Sequence, residues 1–392
     1  VQGKPPRWTP LKDAERVNED SGQYYRDPNA ARYPQYPIAP VIQSVLDLNP
    51  DFSTADTDIV ACGSTMGNLL RFARGQDKSF RFDVQTIGTS VFFIRKENDP
   101  RETIPNVRGY GHSFPEQNTT WDSDVKGSDT HQRIVQYDFR GFTCLIRFQC
   151  DGYINDEPTK AGAGASKTNP LADNDLLSAF GKTTVTRPTS QFPQMDGVKI
   201  DRGGAEVPQH TIFDLKTRSG RHKTEIDMAD IYPQLWIKQI PNFIVAYHDG
   251  AGLFRDVRVQ DVRQDVKDWE KDNMEAIQRL AVLLQEIVEF ARGHGGLLEV
   301  YSPRKDCLEI RKQHGEGVHA LPSELRDEWA KEAWVRDSER EVRDFSDSDE
   351  GGLALKDEYG SDKGWGYHSD GEEPDYTACS ADDCGYCGKC TY

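Results

Sequence analysis

Three residues could do chemistry together. The segment Phe213-Asp214-Leu215-Lys216 reads as a strand. Side chains alternate along a strand, so Asp214 and Lys216 share a face about 7 Å apart. A carboxylate there can hold a hard divalent cation, and a lysine can orient or help deprotonate an attacking water. Asp-x-Lys also occurs on ordinary solvated strand faces, so the setting decides. Apolar residues flank the pair, and upstream Phe148-Gln149-Cys150-Asp151-Gly152 ends a second apolar strand on a carboxylate. Two neighbouring strands that each bring an acid to one edge can form a metal site for phosphate chemistry. Mg²⁺ needs only one or two carboxylates when water and substrate phosphate complete its shell.

A second cluster lies in the tail, Cys379-x4-Cys384-x2-Cys387-x2-Cys390. Four thiolates can close a tetrahedral Zn²⁺ site, with Gly385 and Gly388 allowing tight turns between ligands. The x2 spacing also suits an iron–sulfur cluster, and unligated redox-active thiols are the third reading. Cys62, Cys144, Cys150 and Cys307 are scattered and read as reduced thiols inside the protein.

The elements that must position these residues are mixed strands with few helices, an α/β (α+β) body. Strands are expected over 80–84, 90–94, 134–139, 143–151, 211–216, 242–247 and 253–259. Short helices are expected over 40–46 and 230–239. Ile277, Leu280, Leu284, Ile287 and Val288 mark one face of a long helix over 265–291, which Gly293 should stop. Residues 1–39 read as an extended arm, 40–322 as the main domain and 323–392 as a charged helix, acidic tail and cysteine cluster. Within the main domain, 155–209 is a low-complexity insertion, expected to be a mobile loop.

In order along the chain stand Gly109-Tyr110-Gly111-His112-Ser113-Phe114-Pro115-Glu116, Gln149-Cys150-Asp151 and Asp214-Leu215-Lys216. Gln234 follows, seven residues before Pro241, and then Ile244-Val245-Ala246-Tyr247. Over roughly 40–292 this series resembles the decapping exonuclease (DXO) family of the PD-(D/E)xK nuclease fold. The resemblance implies a mixed β-sheet flanked by helices. It implies Glu116, Asp151 and Asp214 as ligands of Mg²⁺ or Mn²⁺, with Lys216 and Gln234 positioning the nucleophile and the RNA phosphate. It further implies a metal-dependent hydrolase of RNA 5′ ends (decapping or 5′→3′ exonucleolytic) in mRNA quality control. A 5′→3′ exoribonuclease is the implied protein partner, in the nucleus or cytoplasm.

Three departures bear on activity. The family's arginine falls at Gly63, the first acid of its Gly-Glu-x-Asp motif is Gln149, and its Glu-x-Lys is Asp-x-Lys. An amide removes one charge from a cation's shell, and losing the arginine removes a phosphate clamp. The alternative expectation is therefore a catalytically degenerate relative that binds RNA or protein.

The net charge of −17 argues against a nucleic-acid partner, but it is unevenly placed. Residues 321–392 hold 20 acidic and 8 basic side chains, leaving a nearly balanced body that can carry a basic groove. No stretch approaches the roughly 18 apolar residues of a membrane helix, and the first residues lack the apolar run of a secretory signal. An intracellular protein without a membrane anchor is the expectation.

Overall fold

The structure, a computed structural model, describes residues 3–13, 15–105, 107–155, 200–201, 203–220 and 225–346, with side chains described as far as 334. Its strands are β1 (Arg7–Trp8), β2 (Ile59–Cys62), β3 (Phe80–Ile87), β4 (Ser90–Arg95), β5 (Thr119–Thr120), β6 (His131–Phe139) and β7 (Phe142–Cys150). Then follow β8 (Gly152–Tyr153), β9 (Ile212–Ser219), β10 (Asn242–His248), β11 (Phe254–Asp261), β12 (Leu297–Arg304) and β13 (Cys307–Lys312). The helices are α1 (Pro28–Arg32), α2 (Ala39–Leu48), α3 (Gly63–Ala73), α4 (Ser113–Asn118), α5 (Met228–Lys238), α6 (Arg263–Asp272), α7 (Met274–His294) and α8 (Ser323–Ser346).

The strands form two mixed sheets. One runs β13-β12-β3-β4-β2-β7-β6 and the other β11-β10-β9-β8-β1-β5. Inside the larger sheet lies β2, buried along its whole length and paired in parallel with β4 and β7. A strand covered on both faces needs no polar alternation. Its residues still alternate in direction. Ile59 and Ala61 join Leu69 and Leu70 of α3 and Leu280, Leu284 and Ile287 of α7 in one core. Val60 faces Ile42 and Val45 of α2 and Trp329 of α8 in another. Burying each such Leu or Ile is worth about 1.5–3 kcal/mol.

The apolar spacing over 265–291 predicts one helix, but Asn273 (φ −108°, ψ 17°) divides it into α6 and α7. The Asn273 amide donates to the Trp269 carbonyl at 2.9 Å, a local bond that competes with helix continuation. The structure adds α3, β12 and β13, which the sequence pattern leaves unassigned.

The N-terminal residues are woven into the smaller sheet. β1 pairs in parallel with β8 (Arg7 opposite Tyr153) and antiparallel with β5. Farther on, Val17 N–H donates to the Gly252 carbonyl at 2.8 Å. Gly252 sits at φ +82°, and a Cβ there would stand 2.1 Å from the Val17 carbonyl oxygen. Only glycine permits that approach. Residues 156–199 of the low-complexity stretch lie outside the described residues, as do Cys379, Cys384, Cys387 and Cys390.

Candidate functional site

β8 and β9 pair antiparallel with Gly152 opposite Phe213, which sets Asp151 beside Asp214. A Cβ on Gly152 would lie 2.5 Å from the Phe213 ring and 2.7 Å from the Pro6 carbonyl oxygen, so the absent side chain lets these strands close. Asp151 Oδ2 accepts the Leu215 N–H at 2.7 Å.

Asp214 is held between two ammoniums. Lys216 Nζ stands 3.1 Å from its Oδ1, and Lys238 Nζ, from the last residue of α5, 2.9 Å from its Oδ2. The Asp214 side chain is 5% exposed and the two lysines 17% and 16%. Burial works against the charge on Asp214, but the two ammoniums outweigh it and hold the carboxyl well below the usual carboxylate range. Asp151 moves the other way. Burial and then the charge on Asp214 push its pKa up, against the pull of Lys216 and the Leu215 N–H.

These residues open into a cavity of about 430 Å³, within the range of small-ligand sites. Asp151, Asp214, Lys216 and Gln234 all line it. Glu116 does not join them. It lies exposed on α4, one turn beyond His112, which does reach the cavity. Gln149 lines the cavity as an amide.

The wall is predominantly cationic. Arg26, Arg71, Arg95, Arg147, Lys216 and Lys238 line it, against the carboxylates of Asp27, Asp151 and Asp214. Arg26 and Arg95 are engaged with Glu102 and Glu97. Arg147 differs: among the described residues its Nη1 reaches only the Gln132 amide oxygen, at 3.5 Å, and its buried Nε has no acceptor. The first turn of α3 completes this side through Gly63, Ser64 and Gly67. The first N–H groups of a helix have no intrahelical partner, and Cys62, its N-cap, makes no side-chain capping bond. Cys62 Sγ instead lies 3.1 Å from both Ser64 Oγ and Thr65 Oγ1. Burial would raise this thiol's pKa, but Arg147, Arg95 and the two hydroxyls bring it below the ordinary value. Tyr24 and Tyr25 also line the cavity, with the Tyr24 and His112 rings stacked 3.6 Å apart.

Two of these residues carried a signal in the sequence. Arg147, Gln149 and Asp151 are spaced by two along one strand and so share a face. Lys238 is four residues after Gln234 on one helix, which puts both on one side.

The donor set does not fit a divalent cation. Both oxygens of Asp214 are in ion pairs, Asp151 Oδ2 takes a backbone N–H, Glu116 is elsewhere and Gln149 carries no charge. Among the described residues, no three His, Cys, Asp or Glu converge in a way that could hold a metal.

The family model for the Domain of unknown function (DUF8563) matches residues 1–328. The chain belongs to this family. No curated protein matches the sequence. Among solved structures, Scheffersomyces stipitis Rai1 in complex with (3′-NADP)+ and calcium ion is similar at 10% identity and a TM-score of 0.52, covering 84% of this chain and 88% of that one. S. pombe Rai1 in complex with 3′-FADP follows at 10% identity and 0.48, covering 79% and 86%. K. lactis Dxo1 in complex with manganese follows at 10% and 0.42, covering 80% and 94%. The first of these likenesses shows the fold: the DUF8563 chain has the Rai1 fold of the DXO family, as the motif series implies. No helix among the described residues is long and apolar enough to cross a membrane.

Proposed function

We propose that the protein binds the phosphorylated 5′ end of an RNA in this cavity, as a binding module and not as a metal-dependent hydrolase. The observation that carries the reading is Arg147, a cavity-lining guanidinium with no ion-pair partner among the described residues and a buried Nε without an acceptor. A phosphate would satisfy it, with the open first turn of α3 supplying backbone donors beside it. Tyr24, Tyr25 and His112 give the same cavity aromatic rings of the kind on which bases stack. Phosphate donors and aromatic rings in one cavity suit a nucleotide. The choice of RNA draws on the motif resemblance and the shared fold.

The hydrolase reading is second. It is favoured by the meeting of Asp151, Asp214, Lys216 and Gln234 in one cavity. The state of Asp214 weighs against it.

Fluorescence anisotropy with 5′-monophosphorylated and 5′-hydroxyl forms of one short RNA, in EDTA, tests the first reading. The phosphorylated form should bind at least about tenfold more tightly, and Arg147→Met should remove most of that preference. Equal binding of the two forms, or a preference untouched by Arg147→Met, would overturn it. Release of nucleotides or cap fragments on adding Mn²⁺, abolished by Asp214→Asn, would establish the second.

A further inference from the structure

Lys238 and Gly63 meet at the head of the cavity. A Cβ placed on Gly63 would stand 3.5 Å from Lys238 Cγ and 3.8 Å from its Cε. The lysine stem thus packs beside Gly63 at van der Waals distance and ends on Asp214. Gly63 is also the position where the motif resemblance places an arginine. A cation that would come from the end of β2 comes from the end of α5 instead.

Lys238 is held there firmly. α5 is anchored by Ile231, Leu235 and Ile237, each 1% exposed. Tyr137 Oη donates to the Ile237 carbonyl at 3.1 Å, and Gln209 Nε2 donates to the Lys238 and Gln239 carbonyls at 3.3 and 2.7 Å. Gln239 turns left-handed (φ 55°) and ends the helix one residue after the lysine. The ammonium is therefore delivered to Asp214 by a fixed backbone.

Two carboxylates, Asp151 and Asp214, stand against two ammoniums, Lys216 and Lys238. A divalent ion would enter against both positive charges in a poorly solvated place, where like charges repel far more strongly than in water.

We infer that Lys238 is a built-in cation that takes the place of a divalent metal ion beside Asp214, so that the cavity rejects such ions. Its further role, priming the cavity for an anionic ligand without metal, rests on the proposed binding function. The exclusion of metal does not.

The test is Mn²⁺ binding to the full chain without RNA, followed by the paramagnetic resonance of free Mn²⁺. Because the tail cysteines can bind metal, each titration is repeated in the Asp214→Asn background and only the Asp214-dependent site is counted. The wild-type protein should show no such site tighter than about 1 mM. Lys238→Met and Lys238→Gln should each gain one at least about tenfold tighter, while Lys238→Arg, which keeps the charge, should gain none. An Asp214-dependent wild-type site tighter than about 1 mM would overturn the inference, even if a variant failed to fold. So would folded Lys238→Met and Lys238→Gln proteins that bind no Mn²⁺ at Asp214. RNA affinity is not part of the readout, so a failed binding function leaves this result intact.

Discussion

Arg147 stands directly opposite Cys62 where β2 and β7 run in parallel. That placement, with Arg95 and the hydroxyls of Ser64 and Thr65, lowers the Cys62 thiol, whereas burial pushes Cys144 and Cys150 up to about 12. Only the thiolate reacts, and Cys62 borders the cavity. At neutral pH a small alkylating reagent should therefore modify Cys62 well before Cys144 or Cys150, as read by peptide mass spectrometry. Arg147→Met should slow Cys62 selectively. Equal rates at all three would refute the electrostatic account.

Removing the Asp214 charge should cost stability. Asp214→Ala leaves Lys216 and Lys238 facing each other with no carboxylate between them. Breaking a buried ion pair costs about 3–5 kcal/mol, and the lower end applies here because both ammoniums touch the cavity. Urea unfolding should show the loss, and Lys238→Met in the Asp214→Ala background should recover part of it. A change below about 0.5 kcal/mol would mean that the carboxylate is not holding the two lysines.

His131 gives a pH signature. Burial and the neighbouring Arg133 push its pKa down to about 4, from the 6.5 of an exposed imidazole. Between those values the unfolded chain holds a proton that the folded chain does not. Stability should therefore fall as pH drops from about 6.5 to about 4, by up to about 3 kcal/mol. Asp83, pushed up to about 6 by burial, acts oppositely over the lower part of the window. The His131 share is thus the pH-dependent part of the difference between wild type and His131→Phe, which should be constant above pH 7 and shift against the wild type on acidification. A difference independent of pH would contradict it.

Trp329 ties α8 to the larger sheet. It is 1% exposed, its ring meets Phe92 edge-on at 5.5 Å, and its Nε1–H donates to Ser90 Oγ at 3.0 Å. Trp329→Ala should cost about 3–5 kcal/mol in urea unfolding. Ser90 Oγ also donates to the Thr57 carbonyl, so Ser90→Ala strips more than one bond from a buried place and should cost about 1–3 kcal/mol. Near-equal losses would mean that the hydrogen bond, not the packing, secures the helix.

What could be read without coordinates follows from range. Asp214, Lys216 and Asp151 were visible because strand alternation fixes which side chains share a face, and Gln234 because it keeps a set distance from Pro241. The length of α7 was visible from its apolar spacing, but its separation from α6 was not, because one asparagine side chain makes the break. α3 was hidden because Gly63, Ser64 and Gly67 are turn-forming residue types. Here they open a helix against a cavity. The sequence places Lys238 on the Gln234 side of a helix but not against Asp214. Its meaning depends on the empty side of Gly63, 175 positions earlier in the chain, and no local pattern links the two.

The pairing of β1 has a consequence for the order of synthesis. Arg7 needs Thr120 and Tyr153 as neighbours, so the strand made before every other in this sheet can be placed only when residues near 153 have been made. At about 5–20 residues per second, that interval is roughly seven to thirty seconds. Of the two rings on which Trp8 finally rests, Phe114 is made within it and Phe213 only after it. The free side of β8, the strand that Asp151 leads into, is thus covered by β1, a segment made well before it.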